Sequence, residues 1–344
     1  MNQTDPIILA IESSCDETSA AVLQGRIVLS NIIATQKVHE KFGGVVPELA
    51  SRAHQANIVP VVNQSLEEAG VDRTQLSAIA FTKGPGLMGA LLVGASFAKS
   101  MSQALNIPLI AVHHMEAHIM AHFVQTEKQP ITPNFPFLCL TVSGGHTQIV
   151  LVKSSGNFEI VGETIDDAAG EAFDKAAKVM GLPYPGGPFV DKYAKEGDPK
   201  KYQFTTPQIA GFNFSFSGLK TNLLYFLREA VKNNPEFLNQ ERDHVCASYQ
   251  HVITEYLINK LKSAALHYGV KDLALAGGVS ANSSLRLKFR SMCVENEWNG
   301  FIPEFEYCTD NAAMIGISAY YKYLNKEFAD LHAVPQPDWK IGAL

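Results

Sequence analysis

IILAIESSCDETSAAVL, residues 7–23, reads as an apolar strand, a short polar turn and a second apolar strand. FLCLTVSGGHTQIVLV, residues 137–152, repeats that grammar, with apolar runs on either side of a Gly-Ser turn at 143–147. Two copies of one strand-turn-strand unit indicate an internal duplication. Between them, residues 50–69 have helical character, LSAIAFTKG reads as a strand ending in a glycine turn, and GALLVGASFAKSMSQAL as a buried helix. After the second copy come DDAAGEAFDKAAKVMG, a helix closed by glycine, a long amphipathic helix over 245–268, and KDLALAGGVSAN, a strand running into a turn and a helix start. A final helix is expected from about Asn311 to Asn325. Alternating strands and helices in two matching halves predict an α/β protein of two similar lobes, with ligands at the strand ends. The proline-rich stretch QPITPNFPF marks the boundary at roughly 128–136. The expected lobes are 1–130 and 131–344, with the last helix packing back toward the first lobe.

A 344-residue chain that is 46% hydrophobic has the length and composition of a folded two-lobed protein. The net charge of -6 does not advertise a nucleic-acid surface, and Arg286, Lys288 and Arg290 in SLRLKFR read as a solvated helix face. Cys15, Cys139, Cys246, Cys293 and Cys308 are scattered and lack a C-x-x-C pair, which argues for a reducing compartment and against a thiolate zinc site. The N-terminus has no basic n-region and reads as a first strand. The uncharged run from Gly84 to Ala98 is too short and too glycine-rich to span a bilayer. A cytoplasmic protein with no membrane segment is the expectation.

VHHMEAHIMAH holds four of the 11 histidines. His114, His118 and His122 follow an i, i+4, i+8 pattern and share one helix face, whereas His113 points elsewhere. The first pair has the spacing at which a helix offers two imidazoles to a metal, and the same spacing also suits the polar side of an ordinary helix. Met115 stands where a zinc protease carries its glutamate, so that chemistry is disfavoured. A third ligand has to come from far along the chain, most naturally a carboxylate such as Asp310 in CTDN. TKGPGLMG, SGGHT, YPGGP and AGGVSAN are glycine turns able to present backbone N–H groups to phosphate or carboxylate oxygens. None has the P-loop or dinucleotide spacing. Asp166, Asp167, Glu171 and Asp174 crowd one predicted helix. Like charges at that spacing call for a cation, a ribose or backbone amides, or else form a solvated face with Lys175 and Lys178. Cys15, Ser143 and Ser217 lack the surroundings of an activated nucleophile.

Taken together, ESSCDETSAAV, GGVVPELASRAH, TKGPGLMGALLVG, VHHMEAH, VSGGHTQ, DDAAGEAFDKAAKVMGLPYPGGP, FNFSFSGLKT, AGGVSAN and CTDNAAMI resemble the bacterial tRNA N6-adenosine threonylcarbamoyltransferase family, formerly described as a glycoprotein endopeptidase. The resemblance runs from about Ile7 to Ala319. It implies the two-lobed fold of the actin, Hsp70 and sugar-kinase superfamily. It implies one metal, iron or zinc, on His114, His118 and Asp310. It implies an acyl-adenylate site at Thr141, Val142, Ser143, Gly144, Gly145, Asp174, Gly187, Asp191 and Asn282, with Asp191 at a position that is not always acidic in the family. Asp16, Glu17 and His146 are assigned supporting places, as are His113, His122 and Cys15.

The implied reaction transfers a threonylcarbamoyl group from L-threonylcarbamoyl-adenylate to N6 of the adenosine 3′ of the anticodon in tRNAs reading ANN codons. The implied partners are tRNA, a degenerate paralogous subunit and a small ATPase. Sharing the tRNA surface among subunits reconciles an acidic chain with a polyanionic substrate. Lys192, Lys195, Arg286 and Lys288 are this chain's candidate contributors. The rival readings are a metal-dependent ATP phosphotransferase or hydrolase of the same fold, and a non-catalytic nucleotide-binding scaffold with structural histidines.

Overall fold

The computed structural model describes residues 5–126, 130–207 and 209–342. The first elements are β1 (Ile7–Glu12), β2 (Thr18–Gln24), β3 (Ile27–Ala34), α1 (Pro47–Ala69), β4 (Ala78–Gly84), α2 (Met88–Leu105), β5 (Leu109–His113) and α3 (His114–Met120). Next come β6 (Phe137–Val142), β7 (Thr147–Ser154), β8 (Asn157–Glu163), α4 (Ala169–Val179), α5 (Gly186–Ala194), α6 (Ser217–Asn233) and α7 (Phe237–Tyr268). The chain closes with β9 (Asp272–Ala276), α8 (Ser283–Glu295), β10 (Asn299–Phe301) and α9 (Ala312–Leu324).

Two compact units result. The first comprises Met1–Pro133, Lys153–Phe158 and Pro303–Leu344, and the second Asn134–Val152 and Glu159–Ile302. A single cut at residue 130 therefore differs from the observed division, because α9 packs on β1, β2 and β5 of the first unit. Of the proline-rich boundary, residues 128 and 129 lie outside the described residues.

The first sheet has the order β3-β2-β1-β4-β5, and the second β10-β9-β6-β7-β8. Read from opposite ends, they share one plan. β1 pairs antiparallel with β2 and parallel with β4, and β6 pairs antiparallel with β7 and parallel with β9. The duplication expected from residues 7–23 and 137–152 is thus a duplication of sheets. Ile8, Leu9 and Ala10 are all fully buried, which is why β1 is an unbroken apolar run and not an alternating one. Leu9, Ile11, Val22, Ile79 and Phe81 pack with Ile58 of α1 and Ala95 of α2. α9 approaches closely because it is built of small residues; a Cβ added at Gly316 would stand 2.2 Å from Leu23 Cδ1. In the second unit Leu138, Leu140 and Ile149 pack with Phe173, Tyr249, Leu257 and Phe289.

Two elements depart from the expectation. α7 begins at Phe237 instead of residue 245. α4 begins only at Ala169, so Asp166 and Asp167 precede it. The reason lies in their partners. The Asp166 carboxylate accepts from Phe216 N–H (2.7 Å), Ser217 N–H (3.4 Å) and the Ser215 and Ser217 hydroxyls (2.5 and 2.8 Å). It acts as a remote N-cap for α6, whose own N-cap residue, Phe216, offers no side-chain acceptor. Asp166→Ala is expected to cost about 1 kcal/mol in chemical denaturation. Desolvation pulls the Asp166 carboxyl upward, yet the Ser215, Phe216 and Ser217 donors hold it below the usual carboxylate range. A depressed folded pKa stabilises above the unfolded value and ceases to do so as pH falls through the folded one. The difference between parent and variant should therefore be full at neutral pH and fade in strong acid.

Candidate metal centre and glycine-turn site

In the first unit, β1 and β4 run parallel and α3 follows directly from β5, so the end of β1 and the start of α3 lie at one edge of the sheet. His113 is the N-cap of α3. Its Nδ1 accepts from Met115 N–H (3.1 Å) and Glu116 N–H (3.4 Å), and its Nε2 donates to the Trp339 carbonyl (3.1 Å). That residue is committed to holding the helix start. His114 and His118 then sit one turn apart, with ring centroids 4.8 Å apart and planes at 87°. Asp310 lies just before α9, where Asn311 caps the helix by accepting from Met314 N–H at 3.0 Å. Its Oδ1 is 3.0 Å from His118 Nε2 and 3.5 Å from His114 Nε2.

His114, His118 and Asp310 are the group of possible metal ligands found among the described residues, with ligand atoms all within 4.8 Å of one another. Both imidazoles are buried, at 8% and 1% exposure. Two imidazole nitrogens and a carboxylate oxygen fit a divalent transition metal, and three protein ligands are the number usual in catalytic metal sites. Burial works against charge on His114, but Glu12 and Asp310 beside it raise its pKa well above the usual imidazole range. Burial likewise opposes the charge of Asp310, and His114 and His118 overcome it and hold the carboxyl well below the usual range. The third histidine of the predicted face does not join. α3 ends at Met120, and His122 falls on a 3-10 turn, Ala121–Phe123, whose tighter winding breaks the i+8 register.

Asp16 and Glu17 lie in the polar turn between β1 and β2. Glu17 is pushed up to about 9, first by burial and then by the neighbouring carboxylates of Asp310 and Asp16. Burial and the same carboxylates drive the Cys15 thiol far above its usual value, the opposite of what a nucleophile needs. Ser217 is spent on Asp166, as described above. The cysteines are free, and Cys139, Cys246, Cys293 and Cys308 are buried.

In the second unit the SGGHT and AGGVSAN turns lie at the carboxyl ends of β6 and β9, which are paired in parallel up to Thr141 opposite Ala276. Thr141 and Val142 are buried strand residues, whereas Gly144 and Gly145 are exposed. The turn is tied by Ser143 N–H to the His146 carbonyl (2.8 Å) and by His146 N–H to Ser143 Oγ (3.1 Å). Two close approaches back it up. A Cβ on Gly170 would meet the Ser143 carbonyl oxygen at 2.5 Å, and one on Gly277, whose φ is +83°, would meet the Val142 carbonyl oxygen at 2.5 Å. A Cβ on Gly144 or Gly145 meets nothing within 4 Å. Open space in front and close packing behind leave room for a ligand at the turn.

Asp174 accepts from Gly186 N–H (2.7 Å) and Gly187 N–H (3.2 Å), so it orders the YPGGP turn. Burial raises its pKa despite those two donors. Asp191 accepts from the Ser283 N–H (3.2 Å) and hydroxyl (2.7 Å), and the adjacent Asn282 caps α8 through Leu285 N–H (3.0 Å) while donating to Gln250 (2.7 Å). Asp174 with Gly187, and Asp191 with Ser283 next to Asn282, thus form two separate hydrogen-bonded groups. Asp167 and Glu171 instead both pair with Lys175, at 2.6 and 2.8 Å, which is the solvated-face alternative. Of the basic residues, Lys288 is engaged by Glu255 (2.7 Å) and Arg286 donates to the Ser280 carbonyl (2.7 Å), whereas Lys192 and Lys195 are exposed.

The sequence model of the tRNA N6-adenosine threonylcarbamoyltransferase family matches residues 27–317. The chain belongs to that family. The transferase of Christiangramia forsetii is 60% identical over 97% of this chain and 98% of its own. That of Phocaeicola vulgatus is 55% identical over 95% and 97%, and that of Desulfotalea psychrophila 49% over 92% of each. Among solved structures, a full-length HypF in its phosphate- and nucleotide-bound form is similar with a TM-score of 0.59 at 12% identity, covering 93% of this chain and 46% of HypF. HypF of T. kodakarensis gives 0.60 at 13%, over 94% and 48%. At such identity the likeness concerns fold alone. It agrees with the two five-stranded sheets of a duplicated α/β fold. Among the described residues no helix is long and apolar enough to cross a membrane.

Glu12 and Thr82 escaped the sequence reading. Glu12 is fully buried at the end of β1, with Oε2 at 3.2 Å from His114 Nδ1 and 2.5 Å from Thr82 Oγ1. A carboxylate closing an otherwise apolar strand in the transferase's first motif, IILAIE, was the signal available.

Proposed function

We propose that the chain transfers the threonylcarbamoyl group of L-threonylcarbamoyl-adenylate to N6 of adenosine 37, the nucleoside 3′ of the anticodon, in tRNAs reading ANN codons. The N6–carbonyl bond forms, the bond from that carbonyl carbon to the phosphate oxygen breaks, AMP leaves with the electron pair, and N6 gives up one proton. The observation that carries this reading is identity of 60% over 97% of the chain with a threonylcarbamoyltransferase. The His114, His118 and Asp310 group supports it.

His114, His118 and Asp310 would hold the iron or zinc, which when bound would supply Lewis-acid chemistry at the donor carbonyl. In the metal-free protein His114 and His118 hold the Asp310 carboxyl below the usual range against the cost of burial, so it is already in the anionic form that a metal would need. Gly144 and Gly145 receive the adenylate phosphate on backbone N–H groups, beyond the strand residues Thr141 and Val142 and next to Ser143, whose own N–H is tied to the His146 carbonyl. Asp174, Gly187, Asp191 and Asn282 take the adenosine, with His146 tying the turn through Ser143. Asp16 and Glu17 line the polar turn near Asp310, and a Glu17 raised to about 9 is neutral at pH 7, which limits repulsion there. Attack by an aromatic amine on an activated carbonyl is governed by alignment of the reactants, so the reaction asks little of a general base.

tRNA is the acceptor. A degenerate paralogous subunit and a small ATPase complete the working assembly, in the cytoplasm, with Lys192 and Lys195 available to phosphates from this chain. The test combines the chain, those partners, unmodified tRNA and labelled donor, with and without a chelator, and reads tRNA nucleosides by mass spectrometry. Chelator-sensitive threonylcarbamoyladenosine is expected. ATP turnover without modified nucleoside would favour the phosphotransferase reading instead.

A further inference from the structure

The two histidines are held differently. His118 Nδ1 is buried without a hydrogen-bond partner. His114 Nδ1 faces Glu12 Oε2 at 3.2 Å and Ser14 Oγ at 3.2 Å. A fully buried carboxylate such as Glu12 is tolerated only when its oxygens are well supplied with donors. Ser14 N–H donates to Oε1 at 2.6 Å, and a backbone N–H can do nothing but donate. The Thr82 hydroxyl reaches Oε2 at 2.5 Å, while its other acceptor, the Ile11 carbonyl, is more distant at 3.4 Å. Glu12 is therefore built as an acceptor on both oxygens, and the atom of His114 that meets it must carry a proton. The opposite ring nitrogen, Nε2, is the one that lies toward Asp310, at 3.5 Å.

We infer that Glu12 is a positioning residue for the metal: by accepting from Nδ1–H it fixes the ring and tautomer of His114 so that the Nε2 lone pair is presented beside Asp310 and His118. This rests on the reading of His114, His118 and Asp310 as metal ligands. A carboxylate behind a ligating imidazole both orients the ring and makes the ligating nitrogen a better donor, and losing such a partner typically weakens metal affinity by about 10- to 100-fold. Glu12→Gln is the informative change. Its carbonyl oxygen can still accept from Ser14 N–H, which leaves the NH2 group facing His114 Nδ1. That donor drives the imidazole proton to Nε2, the wrong place for a ligand.

The experiment titrates zinc into the metal-free full chain in competition with a chromophoric chelator, for the parent, His114→Ala and Glu12→Gln, alongside thermal melting of each metal-free protein. In the zinc-loaded parent, 15N-histidine NMR reads which nitrogen of His114 carries hydrogen. The expected result is affinity about 10- to 100-fold weaker in Glu12→Gln with a near-parental melt, together with a proton on Nδ1 of His114 in the parent. Parental affinity in Glu12→Gln, with binding lost in His114→Ala, would overturn the role of Glu12 and leave the ligand assignment standing. Equal binding by the parent and His114→Ala would overturn the ligand assignment itself, and the inference with it. Should Glu12→Gln not fold, the tautomer decides, since a proton on Nε2 of His114 in the zinc-loaded parent contradicts the inference.

Discussion

Asp310→Ala is expected to abolish threonylcarbamoyl transfer, lowering turnover by roughly a thousandfold or more, and to strip the purified protein of stoichiometric metal. The size follows from what the carboxylate does. On the proposed reading it is the anionic member of a three-ligand set, and its oxygen lies 3.0 Å from His118 Nε2 and 3.5 Å from His114 Nε2. A Lewis acid at a carbonyl is worth several kcal/mol of barrier, and each 1.4 kcal/mol is about tenfold in rate. The variant also leaves His114 and His118 crowded with no acceptor between their Nε2 atoms. The proper control is an exposed histidine such as His332. His122 is unsuitable, since it is fully buried and its replacement would test packing. Metal content by elemental analysis and modified nucleoside by mass spectrometry should fall together in Asp310→Ala. A variant that keeps its metal yet loses transfer, or keeps transfer without metal, would break the assignment.

The second large effect separates the two faces of the 143–145 turn. Gly144→Ala should leave stability unchanged, because the new methyl meets nothing within 4 Å, and should raise the KM for the donor about tenfold by keeping an oxyanion from the backbone. Tenfold corresponds to roughly one hydrogen bond to a charged oxygen. Gly170→Ala should instead lower stability. Its methyl would stand 2.5 Å from the Ser143 carbonyl oxygen and 2.8 Å from Gly144 Cα, both of them backbone atoms that cannot swing aside. Overpacking of that kind costs about 1–3 kcal/mol, visible as a shifted denaturation midpoint, and displaces the turn as well. An unchanged donor KM in Gly144→Ala would place the phosphate elsewhere.

What is short-range here was written in short stretches of sequence. The apolar runs of residues 7–23 and 137–152 encode strands because backbone and side-chain preferences act over a few residues, and their repetition encodes the duplicated sheet. Asn282 and Asn311 announce the starts of α8 and α9 for the same reason, since a cap bonds to an N–H three residues away. The His114 and His118 spacing offered two candidate ligands or the polar side of a helix, with Asp310 of CTDN as the natural third, and the family resemblance chose the metal reading.

Other features follow from sheet order and helix packing, which no local pattern carries. Asp310 reaches His118 across 192 positions of sequence because α9 packs on β1, β2 and β5. Glu12 reaches His114 across 102 positions because β1 and β4 are adjacent and parallel and β4 is in turn paired with β5. The crowded carboxylates illustrate the same limit. Asp166 caps α6 at a separation of 50 residues, Asp174 orders the YPGGP turn, and Asp167 and Glu171 share Lys175, although in sequence all four look alike. The sequence by itself determined which residues could be charged, capping or ligating. Only the tertiary structure decided what each one faces, because a buried charge takes its meaning from the donors packed around it and those arrive from distant strands and helices.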